Sequence, residues 1–188
     1  GFSDPIVLYE AWNRLYNYEI PFDICFGFGC EYLRKILSSE KFQTEMGGKP
    51  IFGLFDFDEA YNHWNSLKID GVLLESNPFK GQCKKVEGKN SYAFLIPVPE
   101  IDEIKRQVIA DEATNETYGY QSKVEMEHLF YSDKTKSKFN TKSGVGGAQI
   151  IEISDSAKIE FAQEIVPSLS DAHFKVLKPM FDFIQTKI

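Results

Sequence analysis

The sequence predicts one α/β domain with a mostly parallel central sheet flanked by helices. Short apolar runs alternate with stretches in which apolar residues recur at helical spacing, as strands and helices do when they alternate along a chain. Segments rich in glycine or proline separate these runs. The chain has 188 residues, of which 43% are hydrophobic, so it is long enough for a single domain with its own core.

Composition and charge narrow the classes of function. Asp and Glu number 28 against 21 Lys and Arg, so the formal net charge is −7 and the overall field repels nucleic acid. The three cysteines fit neither a disulfide framework nor a zinc-binding spacing. No apolar run is long enough to cross a bilayer, and no signal segment opens the chain. These features predict a soluble, cytoplasmic protein.

The first helix and the first strand are predicted close to the start of the chain. Asp4 is expected to cap a helix over residues 5–17, because Pro5 suits the first helical position and apolar residues follow at helical spacing. The apolar run 22–26 leads into a glycine turn, and apolar residues from position 32 again recur at helical spacing. This pattern predicts a strand, a turn and a helix in succession.

A second strand-to-helix unit carries the strongest functional signal. Residues 51–55 are almost wholly apolar, which predicts a strand covered on both faces, and a helix is predicted over 60–67. Asp56 and Asp58 follow the strand at its carboxyl end, where ligands bind in open α/β sheets. Two carboxylates there can converge on one hard cation, since Mg²⁺ prefers oxygen ligands and accepts one or two carboxylates with waters and phosphates. In the structural alternative they only end the strand and cap the next helix.

The remaining elements are predicted from shorter patterns. The core, which is expected to end near residue 110, should also contain two short strands, a longer strand and a helix, at 72–74, 83–86, 92–98 and 101–108. Residues 120–188 are predicted as a C-terminal elaboration with one strand and two helices, at 150–153, 158–166 and 171–188. The stretch 132–147, rich in lysine and glycine, is predicted to be a mobile loop.

The C-terminal part supplies three further groups of candidate residues. Glu127 would share a strand face with Glu125 and could add a metal ligand, although a solvated strand face explains the same pattern. Lys158 could neutralise phosphate charge, although lysines are common in the first turn of a helix. A flexible arm on a nucleic-acid backbone, with Phe139 for stacking, could use Lys134, Lys136, Lys138 and Lys142. A solvated loop is the alternative for that stretch.

Several segments resemble Toprim domains. Residues 52–60, with the sequence FGLFDFDEA, resemble the DxD segment of that family. Residues 1–4 resemble the end of its opening motif, and residues 26–30 resemble its second strand-to-helix turn. Order and spacing agree over about the first third of the chain. Residues 124–130 and 158–162 resemble the C-terminal part of the Toprim domains of OLD-family (overcoming lysogenization defect) nucleases.

The resemblance implies a fold, an activity and a set of site residues. The fold is a single Toprim-type domain over 1–188, and the activity is hydrolysis of phosphodiester bonds in DNA, less often RNA, with Mg²⁺ or Mn²⁺. The implied metal ligands are Asp56, Asp58 and Glu127. The implied catalytic residues are Asp4, Asp56, Asp58, Glu127 and Lys158. The family's opening glutamate would precede Gly1, so the first strand is expected to lie outside this chain. In the family an ATPase domain commonly accompanies the Toprim domain, often in antiphage defence.

Two other interpretations remain open. Haloacid-dehalogenase-like phosphatases also place a DxD after an apolar strand, with the first Asp as nucleophile. Here Glu59, Ala60 and Tyr61 follow in place of the glycine and threonine expected in that class. The other interpretation is a non-catalytic Toprim module for interaction or assembly, which the acidic net charge and the missing glutamate favour. Metal-dependent cleavage of nucleic acid would distinguish the nuclease from both.

Overall fold

The computed structural model describes residues 1–144 and 149–188. The helices and strands of these residues are, in chain order, α1 (Asp4–Leu15), α2 (Cys30–Ser38), α3 (Glu40–Glu45), β1 (Ile51–Phe55), α4 (Ala60–Ser66), β2 (Cys83–Lys85), β3 (Ser91–Leu95), α5 (Asp102–Lys105), β4 (Ile109–Asp111), β5 (Glu116–Thr117), β6 (Asn140–Ser143), β7 (Gln149–Glu152), α6 (Asp155–Glu160) and α7 (Lys178–Gln185). Short 3-10 turns lie between several of them. No helix within the described ranges has both the length and the apolar character needed to span a membrane.

The central sheet has three strands in the order β1-β3-β2. β1 and β3 are parallel, with Ile51 opposite Ser91 and Phe55 opposite Leu95, while β2 runs antiparallel to β3. The pairs β4–β5 and β6–β7 form two separate antiparallel sheets. The mixed α/β class is therefore confirmed, but in the described part of the chain only the β1–β3 pair is parallel. The connection from β2 to β3 is short, and a parallel pair needs a long crossover.

Helices cover both faces of the central sheet. α2 lies close to β1 because Gly53 has no side chain, and a Cβ atom there would lie 2.6 Å from Leu37 Cδ1. Trp64 of α4 packs on the same face and donates its indole N–H to a backbone carbonyl of β3 at 3.0 Å. On the opposite face, the ring of Phe94 contacts Phe183 of α7 with their centroids 5.4 Å apart. The sheet is thus buried on both sides, as the apolar run of β1 predicts.

α1 confirms the helix predicted over 5–17, and it packs on the C-terminal helical segments. Trp12 is fully buried, and its ring meets Phe22 and Phe181 edge to face at centroid distances of 5.1 and 5.4 Å. Arg14 extends this contact by donating to the carbonyl oxygen of Pro167 at 2.6 Å. The N-terminal helix is therefore held by the C-terminal third of the chain.

Some predicted elements are wrong or shorter in the structure. The run 22–26 has no strand, because Phe22 packs on α1 and no described strand pairs with this run. Residues 72–74 form no strand, and the helix predicted over 101–108 is only the single turn of α5. The terminal helix divides into a 3-10 segment, Asp171–Leu177, and α7. Pro179 explains this division, since proline lacks an N–H and is tolerated in the first turn of a helix.

The predicted mobile loop over 132–147 contains regular structure in its described part. Lys136–Lys138 form a 3-10 turn. After it, β6 pairs with β7, with Asn140 opposite Glu152 and Ser143 opposite Gln149. This stretch is ordered because Phe139 is buried against the rings of Tyr131 and Phe161 and anchors it. Residues 145–147 of the predicted loop lie outside the described residues.

Candidate active site

Asp56 and Asp58 lie at the carboxyl end of β1. Phe57, between them, forms an isolated antiparallel bridge with Val124 through two backbone hydrogen bonds of 2.9 and 2.8 Å. This bridge fixes the segment after Val124 beside the DxD. It therefore brings Glu125 next to the two aspartates, although almost seventy positions separate them in sequence.

The pKa values of the aspartates reflect how close the acidic groups lie. Burial raises the pKa of Asp56 well above its ordinary value, and the negative charges of Asp4, Asp58 and Glu125 raise it further. Burial also raises the pKa of Asp58, against the effect of a hydrogen bond from the Ala60 amide, and Glu125 adds to the rise. A cation among these carboxylates would favour their ionised forms and reverse the shifts.

Asp58 has a structural role as well. Its Oδ1 accepts a hydrogen bond of 2.7 Å from the amide of Ala60, the first residue of α4. Such a bond satisfies a backbone N–H that has no partner inside the helix. The predicted helix-capping role therefore accounts for Oδ1 of Asp58. The capping bond does not use Oδ2.

Glu127 is buried and bound to the N-terminal segment. It is only 1% exposed, and its Oε1 accepts a hydrogen bond of 2.8 Å from Ser3 Oγ. Burial raises the pKa of Glu127, and the Ser3 hydroxyl opposes that rise. The sequence predicts a strand in which Glu125 and Glu127 share a face, but Met126–Phe130 form a 3-10 turn. The two glutamates consequently have different partners.

His128, which the sequence prediction missed, determines the shape of this turn. Its Nδ1 accepts the amide N–H of Glu125 at 3.0 Å, and its Nε2 donates to the Ile151 carbonyl oxygen at 2.9 Å. Burial lowers the pKa of His128, so the ring is neutral and orients Glu125. The three-residue spacing of Glu125 and His128 at the start of a turn resembles a capping box, which is the signal that could have identified it.

Lys158 brings a positive charge into the site. Its Nζ lies 2.8 Å from Glu125 Oε1 and 2.8 Å from Asp155 Oδ1. Burial lowers the pKa of Lys158, but the hydrogen bonds to Asp155 and Glu125 raise it by more, so the side chain stays charged. Its positive charge also acts on Glu127, whose pKa it lowers.

Asp4 reaches the site from the first turn of α1. The predicted capping role is wrong, since Ser3 occupies the cap position without a side-chain hydrogen bond to the helix and Asp4 lies inside it. The Asp4 carboxylate contacts the amino group of Gly1, and its charge raises the pKa values of Asp56 and Glu127. The five residues predicted to be catalytic therefore lie in one group, which we call the acidic site: Asp4, Asp56, Asp58, Glu127 and Lys158, with Glu125 added.

The four lysines predicted to bind nucleic acid have a different environment. Three of them form ion pairs, Lys136 with Asp133 at 2.7 Å, Lys138 with Glu160 at 2.8 Å, and Lys142 with Glu152. Lys134 is exposed. Phe139, expected to offer a stacking surface, is buried against His128 and Phe161. This stretch thus presents less unpaired positive charge than its composition suggests, and its phenylalanine is not free to stack.

The donor chemistry of the acidic site fits a divalent cation held by few protein ligands. Across residues 1–144 and 149–188, no group of three or more His, Cys, Asp or Glu side chains is arranged to hold a metal ion. Mg²⁺, however, is commonly bound by one or two carboxylates together with waters and substrate phosphates. Asp56 and Asp58 fit that pattern. Glu125 raises the pKa values of both aspartates.

Comparison of the chain with protein-family models, with curated proteins and with solved structures found no match. Its function is therefore inferred from the acidic site itself.

Proposed function

We propose that this chain is a Toprim-like nuclease domain, of the type found in OLD-family nucleases, which hydrolyses phosphodiester bonds in DNA with Mg²⁺ or Mn²⁺. The observation that carries the proposal is the acidic site, in which carboxylates from three separate segments lie close enough at the end of β1 to shift one another's pKa values, and Lys158 pairs with Glu125. Metal-dependent phosphodiester hydrolysis can use carboxylates that bind the metal ion together with a cation that stabilises the phosphate.

Five side chains of the acidic site have definite places in this proposal. Asp56 and Asp58 would hold the metal ion, which supplies Lewis acidity and lowers the pKa of a bound water. Their raised pKa values support this role, because a cation would offset the repulsion among the carboxylates. Lys158 would neutralise charge on the phosphate, and Glu125 orients Lys158 through their 2.8 Å contact. Ser3 holds Glu127 in place at the edge of the site.

The charge distribution predicts which groups would attract DNA. The chain carries a net charge of −7, and most lysines of the 132–144 stretch are paired with acids. The DNA backbone would therefore be attracted by the bound metal ion and by Lys158, rather than by a broad basic surface. An accompanying ATPase domain, implied by the OLD-like type, would supply further contacts.

The test is nicking of supercoiled plasmid by the full-length protein in Mg²⁺, Mn²⁺ or EDTA. Cleavage is expected with either metal, and it should be absent in EDTA and in an Asp56→Asn/Asp58→Asn variant. Asp70→Asn is the matched control, because Asp70 is an exposed acid paired with Lys85. Circular dichroism and urea denaturation would establish that all variants are folded. Cleavage that persists in the double variant would refute the assignment of the site.

A non-catalytic interaction module is the second candidate. It is favoured by the ion pairs that already engage Lys158 and by the lack of a three-residue metal group in the described ranges. This alternative predicts no cleavage of plasmid, single-stranded DNA or RNA under any condition. It also predicts that Mg²⁺ leaves the melting temperature unchanged, whereas the nuclease proposal predicts a rise that disappears in the double variant. Hydrolysis of a phosphate monoester alone would favour the phosphatase interpretation.

A further inference from the structure

A pocket of about 550 Å³ lies between α4, β2 and the β4–β5 hairpin. Small-molecule sites generally measure about 300–1,000 Å³, so the pocket is large enough for an organic ligand. Tyr61, one helical turn after Asp58, lines its wall. No residue of the acidic site belongs to the lining. The pocket is therefore a neighbour of the acidic site and distinct from it.

The unusual member of this pocket is Lys84, a buried lysine with neutral partners. It is 3% exposed, and its Nζ lies 3.2 Å from the Leu67 carbonyl oxygen, 3.4 Å from that of Asn65, and 4.0 Å from the centre of the Trp64 ring. Buried lysines are rarely found without a carboxylate partner. Burial lowers the pKa of Lys84 to about 8, and no neighbouring acid in the described part of the chain counteracts that effect.

The rest of the lining provides the groups that recognise a nucleotide. Lys68 is a second lysine in the lining, and Glu116 is an acid in the same lining. Tyr61 lines the pocket with a ring that also packs against Phe57 and Trp64 at centroid distances of 6.3 and 5.6 Å, and an aromatic face of this kind can stack on a base. Asn115 and Gln82 carry side-chain amides, which can pair with the polar edges of bases, although the Gln82 amide nitrogen also donates to the Ser76 carbonyl oxygen at 2.9 Å.

We propose that this pocket binds a nucleoside monophosphate, with the phosphate at Lys84 and Lys68 and the base on Tyr61. A phosphate would provide the counter-ion that the protein does not give to Lys84, and charge-assisted hydrogen bonds to phosphate are strong. The aromatic wall and the amides favour a nucleotide over a simple anion. This proposal does not depend on the nuclease function, since the two sites share no residue.

The test is calorimetric titration of the full-length protein with AMP in EDTA, beside adenosine and inorganic phosphate. AMP is expected to bind more tightly than either part of it. Lys84→Met should weaken AMP binding by about tenfold or more and leave adenosine binding unchanged, because it removes a charged hydrogen bond. Lys85→Met is the matched control, since Lys85 lies next on the same strand and pairs with Asp70 at the surface. It should bind AMP like the wild type.

A second pair of variants keeps the test decisive if Lys84→Met fails to fold. Lys84→Arg retains the charge and should retain AMP binding, whereas Tyr61→Leu should weaken the binding of AMP and leave that of phosphate unchanged. The proposal is overturned if the folded wild type shows no saturable AMP binding, or if Lys84→Met binds AMP normally. Phosphate that binds as tightly as AMP would also overturn it, because the site would then recognise simple anions.

Discussion

Replacing Lys84 with methionine should change how the stability of this protein depends on pH. Lys84 is 3% exposed, and burial lowers the pKa of its amine from 10.5 to about 8. Below pH 8 the folded protein holds a buried charge, whereas the unfolded chain holds the same charge in water. The buried ammonium therefore destabilises the fold at neutral pH. This cost fades as the pH rises from 8 toward 10.5, because the folded protein then releases its proton first.

The magnitude follows from the two pKa values. Their difference corresponds to a cost of about 3 kcal/mol near pH 7 and about 1 kcal/mol near pH 9.5. The free energy of unfolding of the wild type, minus that of Lys84→Met, should therefore increase by about 2 kcal/mol between these pH values. Other titrating groups, such as Cys83, occur in both proteins and cancel in the difference.

Urea denaturation of both proteins at the two pH values measures this quantity. Lys85→Met serves as the control, because Lys85 is partly exposed and pairs with Asp70 at 3.2 Å. Its difference from the wild type should stay nearly constant with pH. If the Lys84→Met difference is equally constant, then Lys84 is not a desolvated amine in the folded protein. Lys84 would then have no need of a counter-ion from a ligand.

Three further predictions concern the sheet and the acidic site. Gly53→Ala should lower the free energy of unfolding by about 1–3 kcal/mol, because the new methyl group would overpack against α2. Gly27→Ala is the control and should have little effect, since its Cβ would lie 3.7 Å from its nearest neighbour. If urea denaturation shows that the two variants are equally stable, the close approach of α2 to β1 is contradicted. Ser3→Ala should cost about 1–3 kcal/mol by the same assay, because it removes the hydroxyl that donates to buried Glu127. Asp56→Asn should raise the melting temperature at neutral pH without metal, because the raised pKa of Asp56 means that its charge destabilises the fold. This gain in melting temperature should shrink at acid pH, where the wild-type carboxylate is protonated. A gain that is constant with pH would contradict the raised pKa of Asp56.

The elements that the sequence predicts correctly depend on local patterns. Asp56 and Asp58 follow an unbroken apolar run, and such a run between a glycine turn and a helix forms a strand in almost any covered sheet. The helix α1 is likewise recognisable from Pro5 and its apolar spacing. The run 22–26 has the same local character, yet it stays outside the sheet because a strand also needs a pairing partner.

The grouping of residues at the acidic site combines local and distant causes. Glu127 and Lys158 carry the chemistry that makes them candidates, and this chemistry is visible in the sequence. Their environments depend on contacts across the chain, such as the hydrogen bond from Ser3 to Glu127 and the pairing of Lys158 with Glu125. The shape of the turn depends on His128, which bonds to the distant carbonyl of Ile151.

Residue order and composition suffice to predict the mixed α/β class, the strand that ends in the DxD and the acidic character of the chain. Three features depend on the folded chain: the direction of strand pairing, the approach of Glu125 to Asp56 and the burial of Lys84 without a carboxylate. These features arise between segments far apart in the chain. Periodicity describes which face of an element is apolar, but it carries no information about which other element covers that face.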